Sequence, residues 1–162
     1  MGKWAVWVLT IVVTLIYSNF FEWMVHKYVL HGLGKKRDSF WSYHWIDHHS
    51  HAKKNGFQDT DYLNKPFHAW DAQTKEIVAL GLGGILHLPL LWFSPLAYAT
   101  LAYTGFRYYY VHRRSHVDPE WAKKHLPWHY DHHMGPNQNL NWCVTRPWFD
   151  YILGTRARSP EI

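Results

Sequence analysis

The chain of 162 residues has one cysteine, Cys143, which excludes an internal disulfide framework and any thiolate-rich zinc ribbon. The Glu-x-x-His pairs that soluble di-iron bundles use do not occur, and there is no internal repeat or low-complexity linker. Acidic groups are scarce, 12 Asp+Glu against 17 Lys+Arg, giving a formal net charge of +5. Metal chemistry in such a chain must rest on imidazole. With 48% apolar residues, disorder is excluded, and the length fits one domain, residues 1–162.

What is abundant is histidine, 14 residues, together with 11 Trp and 11 Tyr. The mean hydropathy of -0.36 averages polar, histidine-rich blocks with long apolar ones. From Trp4 to Phe21 only Asn19 interrupts a run of apolar, aromatic and small hydroxyl residues. A helix through to about His26 is long enough to cross ~30 Å of hydrocarbon. Lys3 precedes the run as in a signal peptide, but no small-x-small cleavage site follows it. A second apolar block, Ile77 to Tyr110, is broken by Pro89, Ser94 and Pro95, which predicts a hairpin with one helix reaching about Leu91 and the other starting near Leu96.

Three crossings would leave every Lys and Arg except Lys3 on the side that carries the histidine clusters, so that side is expected to be cytoplasmic. The basic residues occur in short groups beside the apolar runs (Lys35, Lys36, Arg37; Lys53, Lys54; Arg113, Arg114; Lys123, Lys124), which argues for a membrane-flanking role and against a nucleic-acid partner. The expected fold is therefore all-α: an integral-membrane protein of about three spans, one single helix plus one hairpin, under a cytoplasmic helical cap.

Ten of the 14 histidines fall in four ordered clusters: His26 and His31; His44, His48 and His49; His112 and His116; His129, His132 and His133. Residues three or four apart share a helix face, so His112 with His116, His44 with His48, and His129 with His132 or His133 can converge. The adjacent second histidine of each pair lies about 100° further round and can serve a neighbouring metal. His26 and His31 are about 140° apart on an α-helix and meet only if the helix ends or distorts, for which Gly32 and Gly34 give opportunity. Ten imidazoles exceed what one ion needs, and about five each leaves a position for oxygen or substrate on a dinuclear site. Neutral imidazole at that count suits iron, while copper and zinc bind it as tightly. Of the others, His68 reads as a surface residue and His87 as an ionisable group inside a span. His51 and His125 lie close enough to clusters to ligate or support. Asp47, Asp118 and Asp131 are candidate acceptors of imidazole N–H or partners of Arg113 and Arg114, and Asp150 is expected to fix the C-terminal segment.

The order HX4H, HX3HH, HX3H, HX2HH, with apolar spans between the second and third clusters, resembles the fatty acid hydroxylase/sterol desaturase superfamily of membrane-bound non-haem di-iron oxygenases. Asn141 to Thr155, N-W-C-V-T-R-P-W-F-D-Y-I-L-G-T, is similar to that family's Asn…Thr…Trp-x-Asp…Gly-Thr ending. The resemblance implies His26, His31, His44, His48, His49, His112, His116, His129, His132 and His133 as ligands of two iron ions, with zinc able to substitute in purified material. It matches Glu22 to an acidic position that would orient the His26 imidazole. It further implies O2 as co-substrate, a lipid substrate of fatty acyl, sterol or carotenoid type, and hydroxylation or desaturation as the outcome. With no cytochrome b5 segment attached, electrons would come from a separate ferredoxin or cytochrome b5-type protein, and a bacterial cytoplasmic membrane fits better than the ER. The chain departs from many members in having one span before the first cluster, as the short bacterial carotenoid hydroxylases have, and three residues inside the second cluster where two are frequent. A histidine-rich metal transporter is the competing class, although transporters place ligands near the bilayer midplane and these clusters lie at span ends. Oligomeric state stays open.

Overall fold

The apolar run that begins at Trp4 forms α1, Lys3–Met24, in a computed structural model that describes residues 2–158. All regular structure among those residues is helical. α1 continues without a break into a π-helical segment, Val25–Leu33, that ends at Gly34. A second π-helical segment, Tyr43–His48, passes directly into α2, His49–Lys54. Asp59 opens a short 3-10 turn, Thr60–Leu63, by accepting from the Asp61 N–H at 3.0 Å.

α3, Ala72–Leu86, starts on an Asp71 cap whose carboxylate accepts from the Thr74 N–H at 2.9 Å. It ends five residues before the Leu91 expected from hydropathy. Pro89 offers no N–H, and its ring clashes with the carbonyl four residues earlier, so the chain turns at His87 and Leu88. A single turn, α4 (Leu90–Phe93), forms the apex, and α5, Pro95–Val117, begins with Ser94 accepting from the Ala97 N–H and Pro95 in the first helical position. α3 and α5 are antiparallel. Tyr98 Oη reaches the Gly84 carbonyl near the apex, and His112 Nδ1 reaches Glu76 at the other end. α6 (Pro119–His125) and α7 (Pro127–Met134) follow, each with proline at its start, and α8 is Trp148–Ile152.

α1 packs along α5 and touches α8. The outer faces of α1, α3 and α5 remain apolar and uncovered, from Trp4, 76% exposed, to Phe93 at the apex, 84% exposed. One helix among the described residues, Lys3–Leu33, is long and apolar enough to cross a membrane, and 11% of its most apolar window is buried. α3 has 15 residues, about 22 Å at ~1.5 Å per residue, and α5 turns Tyr- and Arg-rich after Phe106. Neither half of the hairpin therefore matches α1 as a bilayer-length apolar helix.

The C-terminal segment is irregular and is tied down by two carboxylates. Asp150, fully buried, accepts from the N–H groups of Trp142 and Cys143, both at 2.8 Å, and from Thr155 Oγ1 at 2.7 Å. This is the fixing role expected of it. Glu22 accepts from the Val144 N–H, from the Thr145 N–H at 2.8 Å and from Thr145 Oγ1 at 2.6 Å.

Gly34 closes the first π-helical segment through its N–H to the Val29 carbonyl at 3.1 Å, and a Cβ there would lie 1.9 Å from the Leu30 carbonyl oxygen and 2.8 Å from that of Trp41. Gly34→Ala is expected to destabilise the protein by about 1–3 kcal/mol, as overpacking does. Gly81→Ala, with nothing within 4 Å, should destabilise nothing and can stabilise α3 by up to about 1 kcal/mol. Thermal unfolding of the two variants in one detergent checks this pair.

Candidate metal centre

The ten clustered histidines converge. Each is at most 3% exposed although histidine is only intermediate in its tendency to be buried, so the protein has buried its most polar aromatic groups together. They sort into two groups. His26, His31, His44, His49 and His132 have ring nitrogens that all lie within 4.8 Å of one another, and so do His48, His112, His116 and His133. His129 falls outside both sets by that measure, yet its Nε2 is 3.1 Å from His116 Nε2, which places it beside the second group.

Backbone geometry produces this sorting. In a π-helix the hydrogen bond spans five residues, so residues five apart stack on one face. His26 and His31 are five apart within the first π-helical segment and join the same group. His44 and His49 are five apart across the second, so His44 pairs with His49 and not with His48 as α-helical spacing predicts. His48 turns to the other group. α5 supplies His112 and His116 at ordinary α spacing, and α7 sends His132 to one group and His133 to the other.

The tautomers are set from outside. His26 Nδ1–H donates to the Trp142 carbonyl at 2.5 Å, His132 Nδ1–H to Leu140 at 2.6 Å, and His116 Nδ1–H to Phe57 at 2.9 Å. His48 Nδ1–H donates to Asp59 at 2.7 Å and His112 Nδ1–H to Glu76 at 2.9 Å. A carbonyl oxygen can only accept, so His26, His116 and His132 carry their hydrogen on Nδ1 and turn an Nε2 lone pair inward, and the Asp59 and Glu76 carboxyls hold His48 and His112 in the same orientation. Metal-bound histidines are oriented in this way.

The inward nitrogens fit a bound ion. Nε2 to Nε2 separations are 2.9 Å for His26–His44, 3.3 Å for His44–His49, 3.1 Å for His49–His31 and 3.1 Å for His31–His132. A metal about 2.1 Å from each nitrogen sets neighbours ~3.0 Å apart at right angles and ~3.4 Å apart at the tetrahedral angle. In the second group the Nε2 atoms of His48 and His112 are buried without any hydrogen-bond partner, a costly state that a cation relieves. The two groups differ in backing, since carbonyls alone hold the first whereas two carboxylates and the Phe57 carbonyl hold the second.

Burial holds the imidazoles of His44, His48, His49, His129 and His133 well below the ordinary histidine range, and His132 is pushed down to about 4. Neutral imidazole, the ligating form, is therefore the resting form at neutral pH. Burial pushes the Asp59 carboxyl up.

The supporting residues differ from those expected. Glu22 makes no hydrogen bond to His26. It secures Val144 and Thr145, two residues beyond the Trp142 carbonyl that orients His26. Asp47 faces Lys75 at 4.0 Å, half-exposed, and Asp131 pairs with Arg156 at 3.1 Å. His125 is exposed, donates to the Trp121 carbonyl at 3.0 Å and stacks on the Trp121 ring, away from both groups. His51 lies 3.4 Å from Asp59, behind His48, and forms with Asp59 and Asp61 a third, more open group. Asp118 caps α6, and His68 is exposed. His87 bonds Tyr17 Oη and the Gly83 carbonyl, both at 2.7 Å. Asp59, Glu76 and Tyr62, whose hydroxyl donates to Glu76, were not anticipated. Glu76 carried a signal, being an acid at the very edge of the second apolar block.

A cavity of about 1120 Å³ lies between α1, α3 and α5. Leu15, Leu80, Leu86 and Leu101 line its apolar length, and His26, Tyr43, Glu76 and Tyr108 line its inner end. No family model, no curated protein and no solved structure matches the chain.

Asp59→Ala and Glu76→Ala should each lower metal affinity about 10–100-fold, whereas Asp47→Ala and His125→Ala should leave it unchanged, as metal titration with elemental analysis would show. Acid should act in a defined direction. His132 binds protons less readily folded than unfolded, so its contribution to stability is complete above about 6.5 and is lost as pH falls towards about 4. Metal content and thermal stability should decline together across that window, and full metal retention at pH 4 would contradict the assignment.

Proposed function

We propose that the protein is a membrane-bound dimetal oxygenase that hydroxylates an unactivated C–H bond of a lipid. The observation that carries this reading is the apolar cavity between α1, α3 and α5, whose inner end reaches a ligand-forming histidine, His26. Iron bound by the two histidine groups would supply the reduction of dioxygen that C–H oxidation requires. The balance is R–H + O2 + 2 electrons + 2 protons giving R–OH + H2O, so an external electron donor is part of the reading.

The chain's own residues do the rest. Leu15, Leu80 and Leu101 take the apolar body of the substrate and exclude water, and the polar inner end fixes which carbon comes next to His26. Asp59 and Glu76 hold His48 and His112 in register. Trp142, Trp45 and Phe57 wall the imidazoles and keep bulk water from them, at ring separations from 4.4 to 5.7 Å.

The bilayer supplies the substrate in this reading. α1 crosses it, the α3–α5 hairpin enters it from the side that carries Lys35, Arg113 and the histidines, and that side is cytoplasmic. The histidine spacing resembles that of the fatty acid hydroxylase/sterol desaturase superfamily, which supports this reading, and a bacterial cytoplasmic membrane is the expected location.

Expression in a bacterial host with a matching reductase, followed by mass comparison of lipid extracts under oxygen-18 gas, tests the proposal. A product gaining one labelled oxygen is expected. Loss of two hydrogens instead would mark a desaturase, and no oxygen-dependent product would refute both. His132→Ala should abolish product and bound metal together while the protein remains in the membrane fraction.

A further inference from the structure

The hydroxylation balance requires two electrons from an external donor. They must reach imidazoles that are essentially inaccessible to solvent. The route is therefore set by which surface residue touches a ligand directly.

Trp45 does so twice. Its ring lies 4.7 Å from the His31 ring and 5.1 Å from the His49 ring, centroid to centroid, and the side chain is itself half-buried. The Lys35 ammonium sits 5.0 Å above the same indole and also donates to Asn139 Oδ1 at 3.1 Å. Lys36 and Arg37 follow, both exposed, with Asp38 the one acid in that stretch. Asn139 precedes Leu140, whose carbonyl orients His132. One basic surface thus lies one side chain, Trp45, away from two ligands of the same histidine group. The competing route from Lys123 crosses two rings, Tyr130 and Phe57, before it reaches His116.

We propose that Trp45, with Lys35 over its ring and the exposed Lys36 and Arg37 next in the chain, is the port through which an acidic one-electron carrier protein docks and reduces the metal centre. This rests on the dimetal oxygenase reading. Each encounter oxidises the carrier by one electron and passes that electron across the indole to the His31 and His49 side. Two encounters supply the pair in the balance. The basic triplet steers an acidic partner and sets its orientation over the indole, so it governs association more than the chemistry inside.

The test uses the full-length protein in detergent and an acidic plant-type [2Fe–2S] ferredoxin. For the metal-free protein, the triple variant K35E/K36E/R37E should weaken binding of oxidised ferredoxin at least about tenfold, and added salt should weaken wild-type binding. For the iron-loaded protein under anaerobic conditions, electron transfer from reduced ferredoxin should fall in parallel while reduction by dithionite stays unchanged. Trp45→Leu should keep ferredoxin binding and iron content but slow transfer from the bound carrier. Unchanged ferredoxin binding in the triple variant would overturn the port. So would an equal loss of ferredoxin and dithionite reduction, or a loss confined to retention on phosphatidylglycerol vesicles, which would make the patch a lipid contact. If dithionite reduces the wild type but ferredoxin neither binds nor reduces it, the port fails alone. Failure of dithionite as well would overturn the redox reading beneath it.

Discussion

The structure depends on one interaction repeated at five of the ten histidines: a buried imidazole gives its Nδ1–H outward to a fixed acceptor and turns its Nε2 inward. Ten imidazoles in a space this small would otherwise be destabilising. Burial keeps His44, His48, His49, His129, His132 and His133 neutral, and neutrality removes their mutual repulsion. What remains is a set of lone pairs with few partners among themselves, which a cation satisfies. The acceptors come from distant parts of the chain: Trp142 and Leu140 on the C-terminal side, Phe57 and Asp59 after α2, and Glu76 on α3. The fold is accordingly pinned at its centre by polar contacts, while its outer helices present apolar faces that pack against little of the protein itself.

The two π-helical segments follow from the same requirement. An ordinary helix cannot bring residues five apart to one point, and a π-helical turn does so at the cost of poorer backbone packing. The histidine groups that result are not equivalent. Neutral carbonyls support the first, which lies nearest Trp45 and the cavity. Two carboxylates support the second and make His48 and His112 the stronger donors. On the proposed reading this separates the tasks, with electrons and substrate arriving on the first side and the higher positive charge better accommodated on the second.

Much of this was legible in the sequence. The spacing of ten histidines told which residues would meet, because fixed spacings on helices translate into directions. The apolar run after Lys3 told where the longest helix would be. Less legible was the partner of each histidine: an α-helical ruler pairs His44 with His48, and only the π-helical backbone exchanges His48 for His49. Hydropathy carried α3 to Leu91, whereas the covalent geometry of Pro89 stopped it at Leu86. The supporting shell was hardest to read. Trp142, Leu140 and Phe57 act through backbone carbonyls that every residue possesses, so no side-chain identity marks them. Asp59 looks like any turn aspartate until its distance to His48 is known. Glu22 was legible as important and misread as to what it holds, because its target is 122 positions away in the chain.

The central claim is that two adjacent, inequivalent metal sites are built from imidazole alone. The most direct measurement is Mössbauer spectroscopy of the full-length protein reconstituted with iron-57. Two quadrupole doublets of equal area are predicted, with nitrogen as the dominant ligand in X-ray absorption of the same sample and no sulfur scatterer. A single iron per chain, or one doublet that persists when Asp59 and Glu76 are replaced, would contradict it.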